Sequence, residues 1–171
     1  VPADAIETDR SFRTVVKEPG PFYFRIGRSA TPVILPNDYE FRLGQAYELR
    51  DGKDITLIAC GVMVPQALWA AEMLKKHGID ARVLNMSTIK PIDKEVIERF
   101  RHTQILVVHD AFGLLEAIHE VPDLRVSCLG MPDQFCVWYG TVHDIRKMIS
   151  LDPPGIRNWV QARLTATENH R

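Results

Sequence analysis

The residues of this sequence that could do chemistry stand at three places. In GPFYFRIGRS (20–29) a run of aromatic and aliphatic residues ends in Gly27-Arg28. An arginine just past a buried strand is fixed at its base by the sheet. Its guanidinium fork offers several donors and a permanent charge, which matches a phosphate. Gly27 lets the chain turn where a side chain would crowd it. Taken alone, the stretch fits a surface ion pair equally well. In QILVVHD (104–110) the pair His109-Asp110 closes an apolar run. Functional groups in open α/β sheets gather at the carboxyl ends of strands, although a solvated strand terminus is the simpler reading of this pair. In CGVMVPQA (60–67) the turn sits where a dinucleotide fingerprint would sit. It has one glycine, Val62 and Met63 obstruct the approach of a phosphate, and no acidic residue ends the next strand, so an ordinary strand-to-helix turn is favoured.

Other candidates fall away. His102 and His109 lie on different elements, and His119 and His143 read as structural residues. There is no serine nucleophile elbow and no glycine-rich phosphate loop. Cys60, Cys128 and Cys136 make no CxxC pair. Their odd count and irregular spacing read as free thiols in a reducing compartment, with the cytoplasm as the default, and disfavour a Cys128–Cys136 disulfide. Phe135, Trp138 and Tyr139 could line a pocket, but read more readily as packing a loop onto a sheet or meeting a partner surface.

The elements that must position these residues follow from pattern. Of 171 residues, 46% are hydrophobic and 25% charged, with a net charge of −1. That is ordinary globular composition, and the near-neutral balance gives no support for a nucleic-acid or acidic-membrane partner. The longest apolar runs are too short to span a bilayer, and the acidic start VPADAIETDR is not a signal peptide. Apolar spacing predicts a helix over about 2–17, broken by EPGP (18–21). FYFRI (22–26) has the composition of a strand. Residues 31–44, with two prolines, read as an inter-domain linker. From about residue 45 the pattern is regular. QAYELR is an edge strand, and DITLIAC (54–60), ARVLNM (81–86), QILVVHD and LRVSCL (124–129) are further strands. Helices are expected over 64–76, 93–101, 113–120, 141–150 and 155–165, with Asp93 as an N-cap and Gly78 as a left-handed cap. This alternation argues an α/β fold: an open, mainly parallel sheet with helices on both faces.

Three blocks carry a family resemblance: GPFYFRIGR, DITLIACGVMVPQALWAAEML and ARVLNMSTIKPID. With VPADAIET before them, they resemble the carboxyl part of transketolase, well over about 1–110 and loosely over 111–165, nearest to bacterial split transketolases. The resemblance implies that residues 1–30 end a pyrimidine-binding domain, 31–44 are a linker and 45–171 form the transketolase C-terminal domain. It implies transfer of a two-carbon ketol unit between sugar phosphates, with thiamine diphosphate and a divalent metal in the complete enzyme. Arg28 falls where the family grips the sugar phosphate. VVHDAFGLLEAI (107–118) and MPDQFCVWYGTVHDI (131–145) depart from the family pattern.

The carboxylate that activates the cofactor, the aromatics that stack on its pyrimidine, and the diphosphate- and metal-binding motif lie elsewhere in such enzymes. This chain alone is therefore expected to bind no cofactor and to be inactive. Its expected partners are the remaining transketolase domains or a companion subunit, in homo- or hetero-dimer contacts. Related readings are a deoxyxylulose-phosphate synthase or a 2-oxo-acid dehydrogenase β subunit. From other classes come a non-catalytic dimerisation or docking module and a flavodoxin-like binding protein, which would leave residues 1–44 without a purpose.

Overall fold

The computed structural model describes residues 1–168 apart from Phe112, Cys136 and Trp138. Its centre is a five-stranded sheet in the order β1-β3-β2-β4-β5, made of β1 (Tyr47–Arg50), β2 (Ile55–Ala59), β3 (Ala81–Asn85), β4 (Gln104–His109) and β5 (Val126–Gly130). β1 is the antiparallel edge and the other four strands are parallel. Leu57 of β2 pairs with Val83 on one side and Leu106 on the other. All five residues of β2 and of β3 are buried. That is why β2 reads as an almost continuous apolar run and not as an alternating one, whereas β3 also buries the polar side chains of Arg82 and Asn85.

Alternation reappears in how each strand divides its side chains. Leu57, Ala59, Val83, Leu106 and Val108 face α2 (Val64–Lys75) and α6 (Pro153–Glu168) in one apolar cluster. Ile58, Leu84, Ile105 and Val107 face α3 (Lys94–Arg99) and α4 (Leu114–Ile118) in a second cluster. The sheet thus carries helices on both faces, as the pattern predicts. The helix starts are chemically specified. Asp93 Oδ1 accepts from Val96 N at 3.0 Å, and its Oδ2 accepts from Ala46 N at 2.9 Å, so the cap of α3 also anchors the entry to β1. Gly78, at φ +77°, turns the chain after α2. α5 (Val142–Met148) has a reciprocal cap between Thr141 and Asp144 but buries none of its residues.

The first forty-four residues differ most from expectation. α1 runs Ala5–Val15, shorter than the 2–17 expected, because Asp4 is its N-cap and accepts from Glu7 N at 2.9 Å. The other Asp4 oxygen accepts from Ile34 N at 2.8 Å and Leu35 N at 2.9 Å. Glu7 is fully buried and accepts from Ala3 N, Tyr39 Oη and Asn85 Nδ2. Residues 31–44 therefore form a strap stitched to α1 and, through Glu7, to β3. FYFRI corrects the strand expectation: residues 21–27 lie in no helix or strand. β-propensity reports fit to a pleated surface, and no strand of this sheet runs beside them to supply one.

Candidate functional site

The strand order reverses between β2 and β4: β3 lies on one side of β2, and β4 on the other. In open α/β sheets ligands bind in the crevice outside the carboxyl ends of the strands at such a point. Here the chain's own segment 25–27 meets that crevice. A recess of about 150 Å³ is bounded by Gly61 and Val62 after β2, Asp110 after β4, and Arg25, Ile26 and Gly27. Arg25 Nη2 and Asp110 Oδ1 are 3.2 Å apart, with about a third and a quarter of their side chains exposed. A Cβ on Gly27 would stand 3.0 Å from Val62 Cγ1. A side chain at Gly27 would have to displace Val62, so the glycine lets the segment pack closely onto the turn that follows β2.

A larger cavity of about 610 Å³ lies alongside, over the ends of β2, β3 and β4. Phe22, Phe24 and Phe41 give it apolar walls, and Arg25, Ser87 and Thr88 supply polar groups. Phe24 meets Phe12 of α1 edge-on, with ring centroids 5.8 Å apart. Cys60 lines the same cavity, and burial pushes its thiol up to about 11. The nearby Arg25 works against that rise and Asp110 adds to it.

The three candidate stretches meet at the smaller recess through Gly27, Asp110 and the turn at Gly61 and Val62, whereas Arg28 and His109 are not among the residues that bound it. Arg28 is exposed and forms no ion pair among the described residues; the surface pairing that its stretch equally allowed is made by Arg25 instead. His109 and Asp110 part company. Asp110 is half-buried on Arg25. His109 is 6% exposed, so the end of β4 is not the solvated terminus expected. Its Nδ1 meets the carbonyl of Ala111 and its Nε2 lies 3.1 Å from Cys128 Sγ. A carbonyl only accepts, so Nδ1 carries the hydrogen and Nε2 accepts from the thiol. Burial and, after it, the charge of Glu116 hold the Cys128 thiol above its ordinary pKa. The ring lies over Gly130, where a Cβ would come within 2.6 Å of Nε2.

Among the other expectations, Phe135 and Tyr139 are 94% and 95% exposed, so neither packs a loop onto the sheet. Trp138 and Cys136 lie outside the described residues. Among the described residues no three His, Cys, Asp or Glu side chains gather to hold a metal, and no helix is long and apolar enough to cross a membrane. Arg25 is the residue that sequence reasoning missed. Its signal was a lone charge inside the run FYFRI, which a strand buried on both faces would not accommodate without a partner.

Comparison with known proteins agrees with this architecture. The family model described as "Transketolase, C-terminal domain" matches residues 44–156. One of the subunits of an apulose-4-phosphate transketolase of Phocaeicola vulgatus is 40% identical over 166 residues, covering 91% of this chain and 53% of that protein. A 1-deoxy-D-xylulose-5-phosphate synthase of Desulforudis audaxviator is 36% identical over 163 residues, covering 88% of this chain and 26% of that protein. A solved structure described as a split gene transketolase, inactive beta4 tetramer, superposes with a TM-score of 0.87 at 33% identity, covering 96% of this chain and 56% of that one. The chain thus spans about half the length of the first of these relatives.

Proposed function

The chain belongs to the transketolase C-terminal domain family, and on that premise we propose that it is the carboxyl-terminal part of a thiamine diphosphate-dependent transketolase. The complete enzyme transfers a two-carbon ketol unit from a ketose phosphate to an aldose phosphate. The observation that carries this reading is the segment Arg25–Arg28. It is held at the switch point of the sheet by Asp110 and Val62 and ends in an exposed guanidinium without an ion pair among the described residues. Such a group suits the phosphoryl end of a sugar. Arg28 binds and orients that end, and the rest of the chain holds Arg28 in place.

The cofactor supplies the carbon nucleophile when bound. The two carboxylates beside the crevice, Glu7 and Asp110, do not fit the task of activating it. Both oxygens of Glu7 are already taken by Ala3, Tyr39 and Asn85 in a fully buried position, and Asp110 is paired with Arg25. Thiamine diphosphate and its divalent metal are therefore held by other polypeptide, either the remaining transketolase domains or a companion subunit. Residues 1–30 complete the pyrimidine-binding domain, 31–44 join it to the C-terminal domain from residue 45 onward, and the isolated chain is inactive. The exposed apolar side chains Phe12, Val16, Tyr23 and Ile26 support a partner over this end of the molecule. That the Phocaeicola relative is named as one subunit of its enzyme supports a companion chain. The buried thiol of Cys60 suits a reducing cytoplasm.

The test combines the chain with the product of an adjacent reading frame that carries a diphosphate–metal motif, plus thiamine diphosphate and magnesium. A shortened aldose phosphate should form from a ketose phosphate donor in the mixture and not with either chain alone. Turnover by this chain unaided would overturn the reading. The Desulforudis relative favours a second reading, a deoxyxylulose-phosphate synthase part. Release of carbon dioxide from a 2-oxo acid donor by the same mixture would select it.

A further inference from the structure

The ends of β2 and β4 at the switch point grip a segment of the same chain, and each contributes one contact. Asp110, after β4, holds Arg25 at 3.2 Å, and Val62, after β2, packs against Gly27. Ile26 lies between these two attachments and is 61% exposed, so the short run is fastened through its neighbours and not through its own side chain. Arg28 follows directly. We propose that Asp110 is a positioning residue for phosphate recognition: by pinning Arg25 it fixes the backbone from which Arg28 reaches a sugar phosphate. This deepens, and rests on, the reading of Arg28 given above.

Two physical consequences follow. A long guanidinium side chain projecting from a fixed backbone loses less freedom when it closes on a phosphate than one projecting from a loose loop. The ion pair also neutralises Arg25, so Arg28 carries the unpaired charge of the segment. A generic stabilising ion pair would have neither effect, because its removal would weaken the fold without discriminating between substrates.

The experiment uses the assembled enzyme and compares kcat/KM for a phosphorylated ketose donor with that for its dephosphorylated analogue. Arg28→Met should collapse the ratio of the two. Asp110→Asn should lower the same ratio by about fivefold, the scale of a partly exposed ion pair. The charge-swapped pair Arg25→Asp with Asp110→Arg should restore part of it. In parallel, the heteronuclear NOE of the amides of Ile26, Gly27 and Arg28 is measured on the chain itself. Those values should be of rigid backbone in the native chain and fall in Asp110→Asn.

Equal losses on both donors would make Asp110 merely structural and overturn the proposal. So would unchanged amide NOEs in Asp110→Asn, which need no activity to observe. An unchanged ratio in Asp110→Asn beside a collapsed ratio in Arg28→Met would sink this inference alone. An unchanged ratio in Arg28→Met would instead remove the phosphate reading beneath it.

Discussion

Tyr39→Phe isolates one of the contacts that fasten the strap to α1. The Tyr39 hydroxyl donates to Glu7 Oε1 at 2.7 Å, in a place where tyrosine is 6% exposed and glutamate is fully buried. Glu7 keeps two other donors, Ala3 N at 2.7 Å and Asn85 Nδ2 at 2.9 Å, so its carboxylate is not stranded by the change. The edge-to-face contact of ring 39 with Tyr47, at 4.9 Å, also survives. The loss is thus one hydrogen bond to a charged group, worth about 1.5–3 kcal/mol. The lower half of that range is expected, since the remaining donors can tighten. Urea denaturation of the two proteins, read by linear extrapolation, measures it at neutral pH.

The pH dependence supplies an independent check. Burial first, then the charge of Glu7 and their hydrogen bond, push the Tyr39 pKa far above its ordinary value. The folded state therefore holds the phenolic proton more tightly than the unfolded chain does. That contribution to stability is complete below the unfolded pKa, about 10, and is lost as pH rises from there toward the folded value. The native protein should consequently lose stability faster than Tyr39→Phe above pH ~10, and the gap should narrow by about 1.4 kcal/mol per pH unit. A cost below about 0.5 kcal/mol at neutral pH, or a gap that stays constant into alkali, would refute a buried, charge-bearing Glu7–Tyr39 contact.

Gly130→Ala drives a methyl group to within 2.6 Å of His109 Nε2, and a destabilisation of about 1–3 kcal/mol is expected from the overpacking. Adding His109→Ala should relieve it in part, so a thermal-melt double-mutant cycle should be non-additive. Ile58→Ala empties a fully buried site on the central strand and should cost about 2–5 kcal/mol in denaturant titration. Cys60, with its thiol pushed up to about 11 by burial, should resist iodoacetamide at pH ~8 until the protein unfolds, whereas Cys128, whose thiol is also held up but is only partly buried, should be modified sooner in the native state. Site-resolved mass spectrometry distinguishes the two, and native labelling of Cys60 ahead of Cys128 would contradict the burial.

The readable parts of this sequence are those whose structure is decided by neighbours close in the chain. Ile55–Ala59 and Gln104–His109 announce buried parallel strands because both faces of each must be apolar. Asp93 announces its helix because a cap needs only the next three residues. The first forty-four residues are decided at long range. Nothing near Glu7 in sequence shows that it will be closed over by Tyr39, thirty-two residues on, and Asn85, seventy-eight residues on. A glutamate at that spacing reads as the polar face of a helix.

The same distinction explains the site. Gly27-Arg28 could be picked out locally because a glycine before an arginine is a local signal. Arg25 gave a local signal too, a charge inside an apolar run, but its role could not be read locally because its partner Asp110 is eighty-five residues away. Its neighbours Phe22, Tyr23, Phe24 and Ile26 invite a strand, yet a strand needs a neighbouring edge to pair with. None of the five strands runs beside them, so the side chains that would have lined a sheet remain for other work: Phe24 on Phe12, Arg25 on Asp110, and Tyr23 and Ile26 toward solvent. An arginine that breaks a strand-like run is thus informative in itself. Burying its charge unpaired would cost several kcal/mol, so either the run is not a buried strand or a carboxylate waits elsewhere in the chain, and at Arg25 both are true.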